Sequence, residues 1–268
     1  MAPNIFTLSS YVGLWLLDRK GSPLNSKIYT TMAIIISVLG ITFEIVRFPI
    51  VFRTEFFSEH YYVHFIDNTL SKLALISHCF SCVKNKKCFQ KVYKIIGRPV
   101  KPRIPVAAII GFSFHAMRFA CPIVDTMNLQ FHHQLSIIVY LIMDIGKLLI
   151  TLQLRAFLSN SSDILKKINL RAWKSMKFDA DAFDDASWAA EKLNSLYGPQ
   201  LLILIANFFV TAVAKSFLFI RELSALGSND LSYDKLMNPL YNGLTVVICF
   251  HQLFLIIDGC HRTAREVS

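Results

Sequence analysis

Charged residues are scarce in this chain. Asp, Glu, Lys and Arg make up 17% of its 268 residues, whereas soluble domains carry about 25%. Hydrophobic residues make up 54%, and many of them stand in long uncharged runs such as 193–214 and 236–257. Because an uncharged apolar stretch of about 18 residues or more indicates a membrane span, this pattern excludes a soluble enzyme and a disordered chain. It predicts a polytopic membrane protein.

Glycine and proline are also sparse, with 10 and 9 residues, and no segment has low complexity. The sequence therefore predicts one domain over residues 1–268 without a flexible linker. Residues 1–20 lack the ordered basic, apolar and small-residue regions of a cleavable signal peptide, so none is expected. The net charge of +10 lies between the hydrophobic segments, where basic residues set topology. We therefore expect no nucleic-acid partner.

Motifs for catalysis and metal binding are missing as well. The sequence contains no nucleophile elbow, Walker loop or glycine-rich nucleotide fingerprint, so we predict neither an enzyme nor a cofactor. Cys79, Cys82 and Cys88 lie close together, but no second pair of ligands follows at zinc spacing. His60 and His64 stand four residues apart without the glutamate of a zinc-protease motif. No metal site is expected.

Six hydrophobic segments are long enough to cross a bilayer. Each must be an α-helix, because lipid offers no hydrogen-bond partners to backbone N–H and C=O groups. The predicted fold is thus an all-α transmembrane bundle. Its approximate spans are 28–48, 61–83, 104–124, 134–154, 199–220 and 239–257.

The distribution of Lys and Arg sets the expected orientation. Twenty of these residues fall on the side of the N-terminus and three on the opposite side, which predicts a cytoplasmic N-terminus and C-terminus. Loops 84–103 and 155–198 then lie in the cytoplasm. The first loop has eight basic residues and no acidic residue. These residues either contact the anionic headgroups of lipids or only set the topology of the chain. In the second loop, the spacing of the apolar residues predicts that helices continue beyond the bilayer.

Ionisable residues inside spans are costly, and they tend to face the bundle interior or a wet cavity. Asp144 and Lys147, three residues apart, are expected to pair on one helix. Asp67, Arg118 and Lys215 have no local partner, so we predict that they border a polar ligand cavity in the outer half of the bundle. Several aromatic residues either line that cavity or pack in the core, among them Phe112, Tyr140 and Phe208.

Three short motifs carry a resemblance to a known family. They are the YVGLW segment at 11–15, the LYGPQLL segment at 196–202 and the CHRTARE segment at 260–266. Together with the predicted topology, they resemble the insect gustatory receptors, members of the seven-transmembrane insect chemoreceptor superfamily. The residues that match the family's motifs are Tyr197, Gly198, Cys260, Thr263 and Glu266.

The resemblance implies a taste receptor in the plasma membrane of sensory neurons. Such receptors are thought to form tetrameric cation channels gated by a small-molecule tastant, with a seventh helix lining the pore. The sequence ends at Ser268 without that span or its T-Y-x5-Q-F motif, so we expect a truncated subunit that does not conduct alone. Retention in the endoplasmic reticulum, or assembly with full-length subunits, is expected to follow. An olfactory receptor of the same superfamily and a small-solute transporter are the alternatives.

Overall fold

The computed structural model describes positions 31, 34, 35, 38 and 40–42 and the ranges 59–96, 106–126, 131–175, 180–225 and 233–267. All of these residues are helical except Asn85, which forms a turn, and no strand occurs among them. The prediction of an all-α fold is confirmed. The helices with defined bounds are α1 (Glu59–Lys84), α2 (Lys86–Ile96), α3 (Val106–Thr126), α4 (Phe131–Ser175), α5 (Ala180–Ala225) and α6 (Tyr233–Val267).

Two of these helices are long and apolar enough to cross a membrane. They are α5 and the Leu236–Arg265 part of α6, which contain the predicted spans 199–220 and 239–257. Helix α3 has a shorter apolar segment, Ala108–Ala120. The segments 61–83 and 134–154 lie within α1 and α4, where ionisable residues interrupt them. The segment 28–48 lies largely outside the described residues.

The regions between the apolar segments are helical too. Helix α4 runs on to Ser175 and α5 starts at Ala180, so residues 155–175 and 180–198 are helical, as the apolar spacing predicts. Segment 84–103 contains α2, which is amphipathic because its apolar side chains recur at helical spacing. Phe89, Val92, Tyr93 and Ile96 are buried, while the intervening lysines are exposed.

Helix α5 forms the centre of the bundle and contacts α1, α2, α4 and α6. It runs antiparallel to α1, because Ser81 Oγ donates to Leu196 O at 2.8 Å while Asn207 Nδ2, eleven residues further on, donates to Asp67 Oδ1 at 2.8 Å. Helix α6 also packs against α3 and α4. A charged side chain placed on an inner face of α5 therefore meets several helices at once.

The outer faces of α5 and α6 carry a band of exposed large apolar side chains, which we call the apolar belt. Its most exposed members include Leu202 (71%) and Ile257 (64%), and on α5 it extends over about 27 Å at 1.5 Å per residue. Exposed polar residues lie beyond its ends, with Ser195 before the belt on α5 and Arg262 after it on α6. The belt consists of Leu202, Ile205, Phe209, Val213, Phe217, Ile220, Leu240, Val247, Phe250, Phe254 and Ile257.

Candidate functional site

Five ionisable side chains from four helices meet inside the bundle, and we call them the buried charge cluster. Each comes from an apolar helix segment, and all but Asp67 are buried, with Asp67 half-buried. Two are carboxylates and three are cations. The members are Asp67 of α1, Arg118 of α3, Asp144 and Lys147 of α4 and Lys215 of α5.

Lys147 bridges the two carboxylates of the buried charge cluster. Its Nζ lies 2.8 Å from Asp144 Oδ1 and 3.2 Å from Asp67 Oδ1. The first contact is the predicted pair three residues apart on one helix, and that prediction is confirmed. The second contact joins α4 to α1. Because a buried charge requires a partner, this lysine fixes the relative position of the two helices.

Arg118 and Asp67 also have partners on distant helices. Arg118 Nη2 forms an ion pair with Asp144 Oδ2, which joins α3 to α4. Asp67 Oδ1 accepts hydrogen bonds from Asn207 Nδ2 at 2.8 Å and from Thr211 Oγ1 at 3.2 Å. These contacts connect three helices to α4 through one continuous polar network.

The ring of Tyr241 on α6 contacts both Lys215 and Arg118, and so connects Lys215 to the rest of the buried charge cluster. Lys215 Nζ lies 5.2 Å from the centroid of the Tyr241 ring, and Arg118 Cζ lies 5.4 Å from the same centroid. A cation within about 6 Å of an aromatic face is attracted by the ring quadrupole. One ring therefore contacts two cations from α3 and α5, and both are among the three residues that the sequence predicts at the border of a cavity.

The aromatic candidates have different environments. Phe208 follows Asn207 on α5 and is buried in the main hydrophobic core, and the half-buried Phe112 packs against that core. The side chain of Tyr140 lies outside the described residues. The structure thus brings Asp67, Arg118 and Lys215 together and gives Phe208 a packing role. Sequence reasoning missed Asn207, Thr211 and Tyr241, since uncharged polar residues in a span carry little signal.

The residues of the family-like motifs lie apart from the buried charge cluster, with Tyr197 eighteen residues before Lys215 on α5. Tyr197 is buried and donates from its hydroxyl to Gln153 Oε1 at 3.2 Å, and its ring contacts the rings of His78, Phe89 and Phe157. Such ring contacts and a satisfied hydroxyl are typical of a packed structural tyrosine. A Cβ added at Gly198 would meet no atom of a neighbouring helix within 4 Å.

The last motif lies next to an apolar cavity of about 450 Å³ between α4, α5 and α6. Thr263 is buried, and its Oγ1 lies 3.1 Å from the carbonyl oxygens of Leu158 and Gly259. Cys260 is exposed at the cavity, and the Glu266 side chain lies outside the described residues. The lining residues are Leu154, Leu158, Ala190, Asn194, Tyr197, Leu201, Cys260, Thr263 and Ala264.

Comparison with models of known protein families finds none that matches this chain. Comparison with curated proteins finds no match either. Within the described ranges, no three His, Cys, Asp or Glu side chains gather as metal ligands would.

Proposed function

We propose that the chain is a membrane-embedded helical bundle with six spans and a cytoplasmic N-terminus. The apolar belt supports this, since a water-facing surface rarely carries so many adjacent exposed large apolar side chains. The belt on α5 matches the roughly 30 Å thickness of bilayer hydrocarbon. The excess of Lys and Arg on one side of the predicted spans supports the orientation.

The position of the buried charge cluster supports a functional site inside this bundle. Thr211, which donates to Asp67, lies midway between Leu202 and Ile220 at the two ends of the belt on α5. Charged side chains at the level of the hydrocarbon core are expensive, and they mark ligand, ion or signal pathways. A merely structural bundle is assembled more cheaply from apolar side chains.

The proposed function is that of a gustatory chemoreceptor subunit in the plasma membrane of a sensory neuron. A small-molecule tastant binds beside the buried charge cluster, and its different affinities for two arrangements of the helices shift their populations. The single observation that carries this proposal is that Asp67, Arg118 and Lys215, from three different helices, converge around one network. The resemblance of the three short motifs to insect gustatory receptors names the class, and assembly with further receptor subunits is part of the proposal.

A binding experiment tests this function. The full chain in phosphatidylcholine nanodiscs is heated with a sugar, a bitter alkaloid or bicarbonate, and unfolding is followed by tryptophan fluorescence. A ligand that binds the native state raises the unfolding temperature. We expect at least one of these compounds to raise the unfolding temperature of the wild type but not that of Arg118→Met or Thr211→Val. Arg262→Met, an exposed change beyond the belt, should keep the shift.

Stabilisation by no compound in any class, small organic carboxylates included, would contradict the receptor function. Equal stabilisation of the wild type and both cluster variants would place binding elsewhere. Thr211→Val removes one hydroxyl and keeps the side-chain volume, so it remains informative if Arg118→Met does not fold.

One observation favours a transporter as a second candidate. Lys147 shared between two carboxylates resembles the ionisable relays that pumps and transporters place within their spans. A transporter of that kind moves solute across a sealed vesicle, whereas a receptor subunit only binds it. Uptake of the stabilising compound into proteoliposomes, abolished by Lys147→Met, would favour transport. Binding without uptake favours the receptor.

A further inference from the structure

The buried charge cluster has one cation more than it has carboxylates. Asp67 and Asp144 are both engaged with Lys147, and Arg118 pairs with Asp144. Lys215 is buried, with 2% of its surface exposed, and its described contact is the ring of Tyr241. Among the described side chains, no carboxylate lies within ion-pair distance of Lys215 Nζ. A buried charge of this kind calls for an anion.

Glu222 does not supply that anion. It follows Lys215 by seven residues on α5, which corresponds to about 10 Å along the helix axis. Its Oε2 accepts a hydrogen bond from Asn242 Nδ2 at 2.8 Å, so the carboxylate is held towards α6.

One other buried polar atom at Tyr241 has no hydrogen-bond partner among the described residues. It is the donor Arg118 Nε, on the guanidinium that contacts the same ring as Lys215. Native proteins leave few buried polar atoms unpaired, and an unpaired donor calls for an explanation such as a bound ion. Arg118 Nε therefore provides a second cationic donor at the ring that Lys215 contacts.

We infer that this site binds a small organic monocarboxylate, with the carboxylate held by Lys215 and Arg118 at Tyr241. One negative charge balances the excess cation, whereas a dianion would leave a net negative charge in the hydrocarbon layer. Arg118 already uses Nη2 for Asp144, so it offers Nε as a further donor. The ring of Tyr241 suits an apolar or aromatic remainder. This inference rests on the proposed receptor function and names its ligand class.

Benzoate and benzamide form a matched pair of probes, because they have nearly the same shape and differ in charge. The wild-type chain in phosphatidylcholine nanodiscs is titrated with each at constant ionic strength, and thermal unfolding is followed. Benzoate is expected to raise the unfolding temperature and benzamide to leave it unchanged. Lys215→Met should weaken benzoate binding on the order of tenfold or more, because a charged hydrogen bond is lost. Lys215→Arg should retain the preference.

The control is Lys192→Met, which removes a half-buried lysine of α5 beyond the apolar belt. It should leave the benzoate titration unchanged. Equal effects of benzoate and benzamide on the wild type would overturn the inference even if Lys215→Met did not fold. If neutral or cationic tastants stabilise the chain through Arg118 while benzoate does not, the inference fails and the receptor function stands. If no compound binds, both fail.

Discussion

At the scale of single residues, Lys147 stabilises the bundle because its ammonium group forms ion pairs with two carboxylates. Its contacts with Asp67 and Asp144 join α1 to α4 within the apolar level of the bundle. Removing one partner of a buried ion pair costs about 3–5 kcal/mol, since the remaining charge stays buried without compensation.

Lys147→Met is therefore expected to lower the free energy of unfolding by about 3–5 kcal/mol. The measurement is reversible unfolding in mixed micelles, followed by circular dichroism. Lys167→Met, at an exposed position of the same helix, should change the stability by no more than about 0.5 kcal/mol. Adding Asp67→Asn to Lys147→Met should recover part of the loss, because it removes one of the stranded charges. An unchanged stability in Lys147→Met would show that the two carboxylates do not depend on it.

The sequence predicts part of this network. The spacing of Asp144 and Lys147 places them on one helix face, so their pairing follows from helical geometry alone. The pairs Lys147 with Asp67 and Arg118 with Asp144 join residues 80 and 26 positions apart. Those contacts depend on how α1, α3 and α4 pack, and periodicity does not determine which helix faces meet.

At the scale of helices, close packing depends on glycines where side chains of a neighbouring helix approach the backbone. A Cβ added at Gly111 would lie 2.9 and 3.2 Å from the two δ-carbons of Leu148 and 3.3 Å from His251 Cε1. Leu148 is fully buried and therefore has little space to move. Helix α3 packs against α4 and α6 at this point because the position has no side chain.

Gly111→Ala is expected to destabilise the bundle by about 1–3 kcal/mol through overpacking. The matched control is Gly198→Ala, where an added Cβ meets no atom of a neighbouring helix within 4 Å. There alanine should change the stability by no more than about 0.5 kcal/mol, because its higher helix propensity is offset by the crowding of its Cβ against Pro199. Comparison of the two variants by thermal unfolding checks the packing. Destabilisation by both, or by neither, would contradict the approach of α3 to Leu148.

The extent of the helices could be predicted only in part. The periodic apolar residues after position 155 predict helix, and α4 and α5 do extend through most of that region. The start and end residues follow from contacts that the sequence does not specify. For example, α5 continues through Pro199, and Gln200 Nε2 donates to Leu196 O at 2.6 Å in that turn. A proline inside a helical pattern by itself predicts an end or a kink.

At the scale of the whole molecule, the all-α class follows from the long uncharged runs, since lipid admits few other structures. The arrangement of inner and outer faces does not follow, because both faces of α5 are largely apolar. Phe208 is buried and Phe209 is exposed, although they are adjacent and identical. Only packing against α1, α4 and α6 distinguishes them.

The central claim is that the apolar belt faces lipid while the buried charge cluster lies inside. Spin labels placed singly along α5 in reconstituted bilayers test it, with oxygen as the probe of hydrocarbon and a water-soluble nickel chelate as the probe of water. Labels at Leu202, Phe209, Val213 and Phe217 should show high accessibility to oxygen and low accessibility to nickel. Labels at Phe208, Thr211 and Lys215 should be protected from oxygen. High nickel and low oxygen accessibility at the four belt positions would contradict a lipid-facing belt and, with it, the membrane-embedded receptor.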